Sequence, residues 1–320
     1  MPASNVIWAP SLTRLPTLMP GQFGVPGTDN TTGLRLDTNG AIFYVDPNAV
    51  GVSDARDGTD PTCPLQTVAT ALTKCRPYMN DTIVVAPNSN WIHAATAAPR
   101  TTAVREEVVI TVPGIRIVGL FPSSSTGVPW YPVTVNGNII TVRAMDVLIE
   151  GFVFDDPSVL TGVTAILSEW TGKAAYTGDN LTVRHCYFGD SLAYGIRMAF
   201  TYYSHIHGNF FDGVDVAAIF NVGAPGDSDY GHIHDNLFLN NIAAIDLKDT
   251  NVCFIHDNYI YGDGTGTDNF IDMTGGANNL IANNYLACTI AQYDVTCSDA
   301  GSGAWVNNHC MNGDATANPL

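Results

Sequence analysis

Five of the eight histidines fall in three short segments, YSHIHGN, YGHIHDN and CFIHDN, as His205, His207, His232, His234 and His256. In an extended chain, alternate side chains point to opposite faces, so these histidines share the face opposite Ile206, Ile233 and Ile255. Imidazoles change charge near neutral pH, and a row of them reads as an interface that weakens below about pH 6. Zinc asks for three or four ligands converging at about 2 Å, which a flat ladder of parallel side chains does not offer. A second candidate is Asp246 with Asp272, each following an isoleucine, with Lys248 and Asp249 close by. If the two carboxylates sit on neighbouring strands about 5 Å apart, they match the separation of a retaining glycosidase pair. A solvated acidic face explains them more simply. Asp54, Asp57 and Asp60 in SDARDGTDP offer calcium-type oxygens, but the spacing is not D-x-D-x-D-G and turn capping fits better. Cys288, Cys297, His309 and Cys310 are zinc-type ligands at the wrong spacing. No metal site is favoured.

The elements that position these residues come from internal repetition. GIRIVGLFP, DVLIEGFVF, NLTVRHCYF, YSHIHGNFF, YGHIHDNLF, VCFIHDNYI and NNLIANNYL align on Ile117, Ile149, Val183, Ile206, Ile233, Ile255 and Ile281. The anchors recur every 22 to 34 residues, within the solenoid range. Three positions on, the later repeats carry Asn209, Asn236, Asn258 and Asn284. Five positions on come Pro122, Phe154, Phe188, Phe211, Phe238, Ile260 and Leu286. A second column, Ile196, Ile219, Ile245 and Ile271, keeps a fixed order with the first. The pattern predicts a chain that coils once per repeat, so that equivalent residues stack at the inter-strand spacing of about 4.8 Å. The asparagines then form a hydrogen-bonded ladder at a tight turn that needs left-handed geometry. The seven anchors plus the Ile83–Val85 strand give about eight rungs, or roughly 38 Å of solenoid.

These repeats resemble the right-handed parallel β-helix of the pectate-lyase-like superfamily. The stretch AIFYVDPNAVGVSDARDGTDPTCPLQTVATALTKC followed by DTIVVAPN is similar to the lead-in of many such proteins: a strand, an acidic loop, a short helix and the first rung. The helix is expected from about Leu65 to Lys74, with Val68, Ala71 and Leu72 capping the open end of the core. The expected organisation is all-β, with an extended arm over 1–40, the β-helix over 41–310 (its lead-in 41–82) and a tail over 311–320. The scaffold hosts lyases, hydrolases and purely structural proteins, so it says little about activity. Enzymes that resemble it work on the outer face of one sheet, where Arg197, Phe220, Asp246 and Asp272 fall here. The superfamily signatures Gly-His-Gly, Arg-Ile-Lys and Asn-Thr-Asp are absent from the sequence.

Composition narrows the partners. With 13 Lys and Arg against 30 Asp and Glu, the net charge of −17 repels a phosphate backbone, so nucleic acid is not expected. No apolar run approaches the 20 or so residues of a membrane span, and the Pro-interrupted N-terminus does not read as a signal peptide. Seven cysteines leave at least one thiol unpaired in a monomer. Solenoids of this kind without an export signal resemble surface proteins of tailed-phage virions. That resemblance implies a structural capsid decoration protein, expected as a homotrimer. It would dock on the major capsid protein or another virion protein through Ile7, Trp8, Leu12, Leu15 and Phe23 of the arm. The alternative is a tail-associated protein that binds or depolymerises a cell-surface glycan with Asp246 and Asp272. Neither reading calls for a cofactor.

Overall fold

The structure is a computed structural model that describes residues 40–49, 51–86, 103–120, 127–155, 161–169, 178–222, 228–262, 269–287, 297–299, 303–310 and 313–315. The arm residues Ile7, Trp8, Leu12, Leu15 and Phe23 lie outside these. Among the described residues, no helix is long and apolar enough to cross a membrane.

The chain folds as a parallel β-helix with three sheets of ten, eight and ten strands running along it. The anchor residues form one unbroken column. Phe43, Ile83, Ile117, Ile149, Val183, Ile206, Ile233, Ile255, Ile281 and Trp305 are successive partners in register, and all are buried. This anchor sheet therefore has two strands more than the eight rungs expected: the Phe43 strand opens it and the Trp305 strand closes it. A second, long-strand sheet stacks Ile140, Ile166, Ile196, Ile219, Ile245, Ile271 and Cys297.

The third sheet is where the sequence reading needs correction. From DVLIEGFVF onward, each nine-residue repeat holds two strands rather than one, broken by one or two residues of which the first is left-handed. That residue is not the ladder asparagine but its predecessor: Gly151, His185, Gly208, Asp235, Asp257, Asn283 and Asn307 have φ between 53° and 82°. Gly, Asn and Asp tolerate this region best, which explains most of these choices. Beyond the corner, Phe154, Phe188, Phe211 and Phe238 stack face to face, with centroids 5.2, 4.5 and 4.9 Å apart. The column continues through Ile260, Leu286 and Cys310. Its earlier member is the buried Trp130, 6.5 Å from Phe154. Pro122, which the alignment placed there, lies outside the described residues; the chain inserts extra residues before this strand.

The corner is held by the asparagines. Asn209, Asn236, Asn258 and Asn284 each accept, at Oδ1, the backbone N–H of the preceding ladder position, at 3.0 to 3.1 Å. Each Nδ2 donates to the next Oδ1 and back to Val183, Ile206, Ile233 or Ile255 carbonyl oxygen. Asn308 extends the ladder by one rung. Water cannot reach this turn, so these bonds supply the partners that buried backbone groups require.

Helix α1 (Val68–Lys74) covers the first turns with Val68, Ala71 and Leu72 buried. It starts three residues later than expected because Thr67 caps it, accepting the Thr70 N–H at 3.1 Å. Leu65 instead bridges to Val45. At the other end, Gly313–Ala315 lies beyond the expected boundary at 310 and pairs antiparallel with Asn308–Cys310, covering the free edge of the aromatic sheet.

Candidate functional site

The outward residues of the long-strand sheet form a column in register: Leu167, Arg197, Phe220, Asp246, Asp272 and Ser298. They sit between inward neighbours such as Ile219, Ile245 and Ile271, so the period-2 alternation that builds the core also aligns this face. Tyr194 joins them: its ring lies 5.1 Å from that of Phe220, and the Arg197 guanidinium sits 4.6 Å above it.

The structure brings Asp246 and Asp272 onto adjacent strands, as the spacing predicts. It also places a third group that sequence reasoning noted only as nearby. Lys248 Nζ stands 3.2 Å from Asp246 Oδ2 and 3.1 Å from Asp272 Oδ2, joining the two carboxylates. Asp272 also accepts the Thr274 N–H at 3.0 Å through Oδ1, so both of its oxygens are engaged. Burial pushes the Asp246 carboxyl above the usual carboxylate range; Lys248 pulls it back and the neighbouring Asp272 charge pushes the same way as burial. The two carboxylate bonds hold the Lys248 ammonium above its ordinary value, although its burial works against this. A retaining hydrolase needs one carboxylate free to attack and one protonated to donate. Here Asp272 is engaged at both oxygens and Asp246 at Oδ2.

Two atoms on this face remain unmatched. Among the described residues, Arg197 Nε and Asp246 Oδ1 are buried without a hydrogen-bond partner, one a donor and one an acceptor, on either side of Phe220 in the column. Native proteins leave few such groups, and each one calls for an explanation. An aromatic ring flanked by an unmet donor and an unmet acceptor suits a ligand with an apolar face and hydroxyl groups at its rim.

No family model matches this chain, and no curated protein matches in sequence. Among solved structures it is similar to pectin methylesterase PemA from Erwinia chrysanthemi, with 10% identity over 87% of this chain and 91% of that one and a TM-score of 0.45. It is similar to an alginate lyase from Paenibacillus sp. str. FPU-7 at 13% identity, covering 78% and 96% of the two chains, again with a TM-score of 0.45. ORF18 of Geobacillus virus E2 aligns with 85% of this chain and 60% of its own at 13% identity and a TM-score of 0.32. The chain is a parallel β-helix. Identities this low concern the course of the backbone and leave the chemistry to the residues themselves.

The remaining candidates separate. Asp54 accepts the Gln66 and Thr67 N–H groups at the start of the helix, whereas Asp57 accepts from Thr59 and Asp60 from Thr62, each capping its own turn. Among the described residues, no group of three His, Cys, Asp or Glu is arranged to hold a metal. Cys63 is an exposed free thiol, whereas Cys75, Cys297 and Cys310 are buried free thiols; Cys288 lies outside the described residues. The five histidines do share the outer face of the anchor sheet, where His205 pairs in register with His232, and His207 with His234 and His256.

Proposed function

We propose that this chain is a structural surface protein of a virus particle that holds a glycan without cleaving it. The observation that carries the second half is the state of the long-strand face. Lys248 bridges the Asp246 and Asp272 carboxylates, while among the described residues Arg197 Nε and Asp246 Oδ1 have no hydrogen-bond partner beside Phe220 and Tyr194. A sugar ring laid on Phe220 lies beside both of these groups, and the Asp246 and Asp272 carboxylates next to it are bridged by Lys248. The structural role rests on the solenoid itself: parallel strands paired in register among the described residues, a continuous stacked core and a buried asparagine ladder make a rigid block suited to a particle that must persist outside a cell. Capsid decoration, a trimeric state and docking through the Pro- and Gly-rich arm complete the reading as expectations.

The test is a paired one. Polysaccharide binding and product release are measured for the unaltered chain, for the double substitution Asp246→Asn, Asp272→Asn, and for Phe220→Ala. The reading expects binding without any new chain ends, lost in Phe220→Ala. Product release that disappears in the Asn variant would replace it with the depolymerase alternative. Absence of both binding and cleavage over a broad glycan panel would leave only the structural role.

A further inference from the structure

The outer face of the anchor sheet carries two columns. His205, His232 and Phe254 follow one another in the first, and Arg184, His207, His234 and His256 in the second. His207, His234 and His256 stack almost flat, with centroids 4.8 and 4.9 Å apart and planes within 2° and 3°. His232 lies across this stack, 4.4 Å from His234 and 4.8 Å from His256 between ring centroids. Its Nε2 is 2.6 Å from Nε2 of His256.

That contact needs one N–H and one lone pair, so it exists only while one of the two nitrogens is unprotonated. The turn residues assign the roles. His256 Nδ1 lies 2.6 Å from Asp257 Oδ2, and His234 Nδ1 lies 2.8 Å from Asp235 Oδ2. With Nδ1–H donating to a carboxylate, Nε2 of His256 is the acceptor and Nε2–H of His232 the donor. The stacked rings aim their lone pairs in parallel rather than at one point, which suits protons better than a metal ion.

We propose that this histidine face is an acid sensor: protonation places like charges within the stack and loosens the three strands at 205–207, 232–234 and 254–256. The groups facing the cluster give it a defined charge state. On the side of the earlier rungs lie Arg184, His185 and Glu150. Glu150 is already engaged by Arg184 at 2.8 Å and His185 at 2.9 Å, and so does not serve His207. On the side of the later rungs lie Phe254, Leu280 and Ala282, which are neutral. Asp235 and Asp257 each compensate one ring, His234 and His256. Among the described residues, His207 and His232 have no carboxylate in hydrogen-bond contact. Burial first, and then the neighbouring histidines, push both down to about 4. Unfolded histidines titrate near 6.5, so between pH 6.5 and 4 the unfolded chain binds more protons than the folded one. The stabilisation is complete above pH 6.5 and is lost as pH falls toward 4.

The test exploits Phe254, an aromatic without a proton to gain, in the same column as His232. The double substitution His207→Phe, His232→Phe keeps rings in the stack and removes the two titrating groups. Urea unfolding of both proteins is followed from pH 8 to pH 4, where effects from carboxylates cancel because both proteins keep them. The unaltered chain should lose at least about tenfold more in its folding constant per histidine than the variant across this window, a figure reduced for partial solvent screening. Each profile is referenced to its own value at pH 8, because the variant lacks the His232–His256 bond at every pH. Parallel pH profiles would overturn the proposal. If the variant does not fold, histidine proton resonances of the unaltered chain decide: His207 and His232 titrating near 6.5 would refute it, and titration well below would sustain it.

Discussion

Replacing Asn236 with alanine probes the feature on which the solenoid's corner depends. The side chain is buried and makes four hydrogen bonds: Oδ1 accepts from Asn209 N and Nδ2, each at 3.0 Å, and Nδ2 donates to Ile206 O at 2.9 Å and Asn258 Oδ1 at 3.0 Å. Some partners keep a second bond. Asn209 Nδ2 still reaches Val183 O, and Asn258 Oδ1 still accepts from the Asn236 backbone N–H. The Asn209 backbone N–H loses its acceptor, and the Ile206 carbonyl loses a donor. Each buried group left unmet costs about 1–3 kcal/mol, so Asn236→Ala should destabilise the fold by about 2–4 kcal/mol. The assay is urea denaturation, with a lowered midpoint at an unchanged slope. Asn236→Asp separates hydrogen bonding from volume. It keeps the acceptor but turns a second oxygen toward Ile206 O and Asn258 Oδ1, so its penalty should exceed that of alanine at pH 7 and shrink on acidification, as the carboxyl regains a donor. A cost below about 1 kcal/mol for alanine, or an aspartate variant without pH dependence, would refute the claim that the ladder holds the turn.

Three further outcomes follow from the same geometry. Phe211→Ala removes a ring stacked 4.5 Å from Phe188 and 4.9 Å from Phe238 and should cost about 3–5 kcal/mol in the same denaturation assay. Burial raises the Glu150 carboxyl, but its bonds to His185 and Arg184 outweigh this and hold it below the usual range. Its contribution is therefore present above the unfolded value of 4.5 and is lost as pH falls through the lower folded one, so Glu150→Gln should flatten the acid limb of stability against pH. Lys248→Met leaves Asp246 and Asp272 facing each other uncompensated; a cost of about 1 kcal/mol at pH 7 that fades by pH 4 is expected, because Lys248 is half-exposed and its bridges are partly screened.

The fold was legible because a solenoid writes its geometry into sequence. Each rung must bury the same kind of side chain at the same place, so Ile206, Ile233 and Ile255 announce both a column and a period. The third sheet was harder to read, since its strands are short and separated from the anchor strands by one or two residues, the first of them left-handed. The clue was present at that residue: Gly151, Gly208, Asp235, Asp257 and Asn283 are types that tolerate positive φ. His185 is not an obvious member, and Pro122 was misplaced because an insertion falls between Leu120 and Val128. On the long-strand face, alternation identified Arg197, Phe220, Asp246 and Asp272 correctly as neighbours. It did not reveal that Lys248 folds back across both carboxylates, because that depends on the path of a flexible side chain. Nor did it show the unmet Arg197 Nε and Asp246 Oδ1, which only packing defines.

The central claim is that this β-helix is a structural component of a particle surface. Its most direct test is the copy number of the polypeptide in purified particles of a virus whose genome carries its gene, if the proposal holds, by quantitative mass spectrometry against the major capsid protein. The account predicts hundreds of copies per particle, as a protein distributed over the capsid lattice requires. Complete absence from the particle would contradict it, and a handful of copies in a multiple of three would contradict the capsid position and assign the chain to the tail.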